Sequence, residues 1–287
     1  MSLPDLEGPW WPPRRCSSAE RMMWITPDRV FYAGLLGSPS MHTKGAILLY
    51  VALEGPLRIR LGNGPWQDCE VAVVQPYVAH QAACEARHVV AMYVEPESVD
   101  LARLPAFLRA AAGTVQAPEF ASHVRRCHAR MVAAGRSLDL QPQDFDQLVF
   151  GQALSTRVVD PRIGTVLERI KRDPAAAASA QACADQVHLS VSRFLHLFKQ
   201  EVDAPFRAFR TWKRARSLLH HVCSDSALVD VALDAGYPDS THFSHSIRQN
   251  FGLKPRDIFA GSRKLHLIGH LKGIEPGRAR GAQTAQP

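Results

Sequence analysis

Arg193 and Gln249 stand in two separate stretches of the last third of the chain, each among short hydroxyl side chains: Ser192 beside the first, Ser240 and Thr241 ahead of the second. An arginine fork fits a guanine edge bidentately, and amides and hydroxyls bond other base edges in the major groove. Val191, His196, Asp239, His242 and His245 fall on the same outward faces. Lys199, Arg248 and the basic run between the two stretches, Arg210, Lys213, Arg214 and Arg216, suit phosphate contact, which positions a protein on a duplex without reading its sequence. Each of these side chains has a plainer reading as a solvated surface residue. His242, just before an apolar aromatic, can also cap or buttress a turn instead of touching a base.

A second constellation lies near the N-terminus. His42 precedes the β-prone run AILLYVAL, and His80 follows Gln75-Pro76-Tyr77-Val78-Ala79. Two imidazoles on one cavity can hold a hydrogen-bonding or anionic group of a small molecule, with the neighbouring strands as apolar walls. The alternative is a pair of ordinary buried, hydrogen-bonded histidines. A transition metal needs three or four N/O ligands. Met41-His42-Thr43-Lys44 offers one histidine only, so neither a metal, a cofactor nor a catalytic set is expected.

The elements that must position these groups follow from hydrophobic spacing. In SAQACADQVHLSVSRFLHLFKQ a short helix carrying Ala184 leads through Val187, His188 and Leu189 to Ser190, an N-cap for a helix whose inward stripe is Phe194, Leu197 and Phe198. In SALVDVALDAGYPDSTHFSHSIRQNFG a helix carrying Ala232 passes Gly236, Tyr237 and Pro238 into one with Phe243 and Ile247 inward. Each reads as helix, tight turn, helix. PFRAFRTWKRARSLLHH joins them as a rod of roughly 25 Å, and major-groove readers on one face of B-DNA sit about 34 Å apart.

Upstream, from Val30 to about Val94, short β-prone runs alternate with turns such as Glu54-Gly55-Pro56 and Gly62-Asn63-Gly64-Pro65, and Leu57-Arg58-Ile59-Arg60-Leu61 has the period of a half-buried strand. These runs suggest a small antiparallel barrel or sandwich. Residues 96–160 turn Ala-, Arg- and Leu-rich with helical spacing, and Leu101, Leu104, Phe107 and Leu108 exceed what a small barrel needs to cover itself. They are the expected homodimer face, against the alternative that they pack only on their own barrel or on the C-terminal helical domain. The expected organisation is therefore 1–95 barrel with a Pro/Trp-rich arm, 96–160 helical region, 161–265 helical domain and 266–287 disordered tail.

Bulk properties narrow the function classes. At 287 residues, 46% hydrophobic and 21% charged, the chain is an ordinary globular one of about two domains. The six cysteines, Cys16, Cys69, Cys84, Cys127, Cys183 and Cys223, are scattered without zinc spacing and read as reduced thiols. No run of about 18 uncharged apolar residues occurs, so the expectation is a cytoplasmic protein with no membrane partner. The net charge of +7 is concentrated toward the C-terminus: residues 161–265 hold sixteen Lys and Arg against ten Asp and Glu. That is the end suited to meet a polyanion.

Residues 161–260 resemble the DNA-binding domain of the AraC/XylS family of bacterial transcriptional regulators. The resemblance is carried by Leu189-Ser190, Arg193-Phe194, Leu197-Phe198-Lys199, Pro205, Ala215, Leu218-Leu219, Ala232, Gly236-Tyr237, His242-Phe243 and Phe251-Gly252-Leu253 with Pro255. His188 replaces the usual turn glycine and Pro238 a frequent serine cap; His tolerates left-handed backbone, and Asp239 can supply the cap. The segment with His42 and the Pro-x-x-x-His ending at His80 resemble the half-motifs of the cupin barrel found as sensor in many members. The resemblance implies an α+β multidomain chain: a cupin-like antiparallel β-barrel with following helices, then an all-α domain of two helix-turn-helix units joined by a linker helix. It further implies double-stranded DNA, a small-molecule effector and RNA polymerase as partners. A metal-dependent cupin enzyme with a DNA-binding appendage is the alternative, disfavoured by the missing metal ligands.

Overall fold

The computed structural model describes residues 20–86, 88–109, 113–135, 140–175, 179–222, 227–262 and 265–268. An N-terminal sheet-rich part precedes a helical C-terminal part. The strands are β1 (Met22–Ile25), β2 (Arg29–Leu35), β3 (Ile47–Ala52), β4 (Leu57–Leu61), β5 (Gln67–Cys69), β6 (Val71–Val74), β7 (His80–Cys84), β8 (His88–Val94), β9 (Gly113–Val115) and β10 (His266–Ile268). They form a seven-stranded sheet of order β10-β1-β2-β8-β3-β6-β9 and a three-stranded sheet β5-β4-β7. These two sheets replace the single closed barrel that the cupin resemblance implies.

β3 reads ILLYVA without polar alternation because both its faces are covered. Ile47, Leu49 and Val51 meet α2 (Pro118–Ala134) and α3 (Asp144–Phe150), whose buried Val124, Met131, Phe145 and Val149 close that side. Leu48, Tyr50 and Ala52 face the small sheet, where Leu57 and Ile59 of β4 point inward and Arg58 and Arg60 outward as their spacing predicts. The same core continues into C-terminal Trp212, Leu218, Phe243 and Ile247. Gly45 lies so close to Trp212 that a Cβ would collide with the indole.

Three expectations are corrected. The apolar set offered as a dimer face packs on the chain's own sheet: Leu104 and Leu108 are buried in the α2 core, with Leu101 and Phe107 packed beside them. The stretch around them forms short turns and the four-residue α1 (Ala106–Arg109), since Asp100 caps a turn and Pro105 interrupts the chain. His266–Ile268, expected in a disordered tail, pair in parallel with β1. Residues 269–287, the arm before residue 20, Cys16 and Cys223 lie outside the described residues.

The helical part runs α4 (Pro161–Arg172), α5 (Ala180–Gln186), α6 (Val191–Val202), α7 (Phe206–Ser217), α8 (Leu228–Asp234), α9 (Ser240–Phe251) and α10 (Pro255–Ser262). The α5–α6 turn takes His188 to φ 56°, and the α8–α9 turn takes Gly236 to φ 73°. At Gly236 a side chain would also strike the Ala175 carbonyl. A β-branched residue pays most in left-handed backbone. His188→Val is therefore expected to lower stability by about 1–2 kcal/mol, read as a shift in urea midpoint, with His188→Asn near neutral.

Candidate nucleic-acid interface and effector pocket

α6 is started by Ser190, whose Oγ accepts the Arg193 N–H at 3.3 Å, and is anchored by Phe194, Leu197 and Phe198 against Phe206 and Phe209 of α7. This stripe leaves Ser192, Arg193, His196 and Lys199 exposed and Val191 half-buried over the aromatic core. In the second pair Asp239 caps α9, accepting the N–H groups of Thr241 and His242 at 2.8 Å each. Its other oxygen meets His242 Nδ1 at 2.7 Å, so His242 is engaged at the cap even though its ring is exposed. Phe243 and Ile247 point inward, leaving Ser240, Thr241, His245, Arg248 and Gln249 in solvent.

The connecting helix α7 divides its cations between two faces. Arg210 lies over the Phe206 ring and Arg214 over Tyr237, both half-buried beside a cleft of about 950 Å³. Lys213 and Arg216, expected on phosphate, instead turn into the sheet-rich part. Lys213 Nζ sits 2.5 Å from carboxylate oxygens of both Glu95 and Glu97, and Arg216 Nε lies 2.7 Å from Glu95. Trp212 Nε1 donates to Glu95 at 2.9 Å. With Lys213 and Arg216 only 4% and 6% exposed, neither reaches a duplex. The cause is helical phase: positions 209, 212, 213 and 216 share one side, and buried carboxylates from the end of β8 meet it. Glu95 and Glu97 were not singled out from sequence; an acid directly after the apolar run Val89–Val94 is the local signal. Lys171 likewise reaches across to Asp28 at 2.8 Å.

His42 and His80 are brought together, with ring centroids 4.2 Å apart and their backbones paired in an antiparallel bridge. No molecule fits between rings at that separation, which corrects the expected seat between them. Each Nδ1 lies against a backbone carbonyl, Ser40 for His42 at 2.8 Å and Val78 for His80 at 3.0 Å, while Tyr50 OH sits 3.2 Å from His80 Nε2. Burial, then the Lys44 charge, holds both imidazoles neutral, His80 down to about 3. Among the described residues no three His, Cys, Asp or Glu side chains gather as metal ligands.

The open space lies next to this pair. A cavity of about 370 Å³ is walled by Met23, Val30, Tyr93 and Leu219, by Phe251 at the end of α9 and Leu253 just beyond it, and by the edge of His42. Lys44, not assigned to the cavity from sequence, lines it at 5% exposure, its ammonium 5.8 Å from the Tyr93 ring and 5.6 Å from Phe251. Burial alone pulls this amine down to about 7.

Residues 183–261 match a helix-turn-helix domain family. The transcriptional activator RhaS of Escherichia fergusonii is 33% identical over 105 residues, 36% of this chain and 37% of its own length. RhaS of Citrobacter koseri is 29% identical over 151 residues, 48% of this chain and 54% of its own. The C-terminal domain belongs to the AraC/XylS family. The chain thus spans between about a third and a half of the curated relatives it matches. Beyond the AraC/XylS domain, the fold as a whole is similar to apo ToxT of Vibrio cholerae, with TM-score 0.52 at 9% identity over 82% of this chain and 97% of that one. ToxT bound to (E)-4-(8-methylnaphthalen-1-yl)but-3-enoic acid gives TM-score 0.52 at 8% identity, over 81% and 98%. Among the described residues no helix is long and apolar enough to cross a membrane.

Proposed function

We propose that this chain is a sequence-specific DNA-binding transcriptional regulator in which α5–α6 and α8–α9 act as two helix-turn-helix units. The observation that carries it is the pair of capped helices α6 and α9, each with a buried apolar stripe and an opposite face of exposed polar and basic side chains, separated by α7. A recognition helix presents such a face to the major groove. Arg193 reads a base, with Ser192, His196, Thr241, His245 and Gln249 completing the two reading faces, while Lys199, Arg210, Arg214 and Arg248 hold phosphate. Selection of bound duplexes from a random library tests the reading: wild type enriches a defined site. Arg193→Ala loses about 1–3 kcal/mol and relaxes one base position, whereas Lys199→Ala weakens all sequences alike. Uniform loss in both would remove the division.

The sheet-rich part is proposed as an effector sensor. Its seat is the Lys44 cavity, whose apolar walls and single buried amine suit a small apolar molecule with an anionic group, the chemistry of the acid held by the ToxT neighbour. Apolar carboxylic acids are expected to raise the melting temperature of wild type and not of Lys44→Met; equal shifts in both would place them elsewhere.

A further inference from the structure

The backbone from Ser40 to Lys44 runs between two openings. Because His42 is bridged to His80 in extended conformation, alternate side chains of this segment point to opposite sides. His42 and Lys44 line the effector cavity, and Thr43 between them lines the cleft beside α7 and α9. The Thr43 N–H donates to the Gln249 carbonyl at 2.9 Å, in the last turn of α9, and Ser40 Oγ donates to the Gly252 carbonyl just beyond it.

The cleft has one sign of charge. Arg207, Arg210 and Arg214 follow one another at helical spacing along its wall, and no Asp or Glu is among its described lining residues. His245 and Gln249, which belong to the reading face of α9, line it too, so a polyanion seated here is continuous with whatever α9 reads. Arg207 is exposed and was not among the phosphate contacts expected from sequence.

We propose that this cleft seats the phosphates of the duplex between the two contacted major-groove segments, with Arg207 as a contact and Thr43 making the sheet-rich part a wall of the DNA site. The inference rests on the DNA-binding reading and deepens it. Since effector cavity and DNA cleft share one three-residue wall, a ligand that displaces His42 or Lys44 displaces Thr43, and coupling through it is reciprocal.

The test uses the full chain and a random-sequence duplex of roughly 30 base pairs, because phosphate contacts are sequence-independent and set the slope of log K against log salt. Arg207→Gln is expected to make that slope shallower by about 1, and Thr43→Lys to make it steeper by about 1 with several-fold tighter binding. Thr43→Glu should weaken binding several-fold at low salt. Met41→Glu, on the same segment at 40% exposure but lining neither opening, should stay within about twofold of wild type. A misfolded variant cannot bind more tightly, so Thr43→Lys keeps the test decisive should Thr43→Glu unfold. Wild-type slopes in both Arg207→Gln and Thr43→Lys would overturn the cleft while leaving the regulator reading standing. A wild type without salt-dependent duplex binding would overturn the regulator reading itself.

Discussion

Replacing Glu95 with alanine is expected to lower the unfolding free energy of the full chain by about 3–5 kcal/mol, the cost of leaving buried charges without their counterion. Glu95 is wholly buried and holds Lys213, Arg216 and the Trp212 indole at once. Glu97 still reaches Lys213 in the variant, but Arg216 retains only its bonds to the Thr26 and Arg29 carbonyls. Urea is the suitable denaturant, since guanidinium chloride screens the interaction under test. Exchanging the whole cluster for apolar side chains, Glu95→Leu and Glu97→Met with Lys213→Met and Arg216→Leu, should recover most of the loss, because a buried ion pair contributes little beyond an apolar isostere. A loss below about 1 kcal/mol for Glu95→Ala would mean that α7 does not dock on the sheet through these charges.

The second large effect is at Lys44, and it has a pH signature. The amine titrates near 10.5 when unfolded and at about 7 when folded. Between those values the unfolded chain binds the extra proton, so this group makes stability rise as pH increases from about 7 toward 10.5, while below 7 its penalty is fully present. Lys44→Met removes the penalty. The variant should be more stable than wild type by a few kcal/mol at pH 7, with the advantage shrinking as pH rises and vanishing only above the unfolded value of 10.5. Following the difference between the two proteins isolates Lys44 from every other titrating group. A difference independent of pH would place a carboxylate partner beside the amine.

The contrast between these residues and the α6 and α9 faces shows what local sequence carries. Ser190 and Asp239 are readable as caps because a helix start needs an acceptor within three residues, and the stripes of Phe194 and Ile247 set each exposed face without knowledge of the rest of the chain. The same reasoning misplaces Lys213. Its neighbours on α7 are basic and polar, and only the arrival of Glu95, 118 residues away in sequence, makes that side an interior. Leu104 and Leu108 fail for the same reason: an apolar surplus in a helix-prone segment does not say which surface covers it, and here it is the second face of the large sheet. β10 is invisible from its three residues alone, since a parallel edge pairing with β1 leaves no hairpin signal. At the candidate site, His42 and His80 were visible by type, but their mutual contact follows from a bridge between distant strand ends. Lys44 enters the sequence reading only as a residue that cannot replace a metal-ligating histidine, and its burial depends on Tyr93 and Phe251, which come from distant parts of the chain.

The most direct test of the central claim is a hydroxyl-radical footprint of the full chain on a duplex recovered by selection from random DNA. Two units held apart by α7 predict two protected segments about 34 Å apart along one face of the helix. The Arg193→Ala footprint should lose contrast in one segment only. A single short protected patch, or no enriched duplex to footprint, would contradict the account.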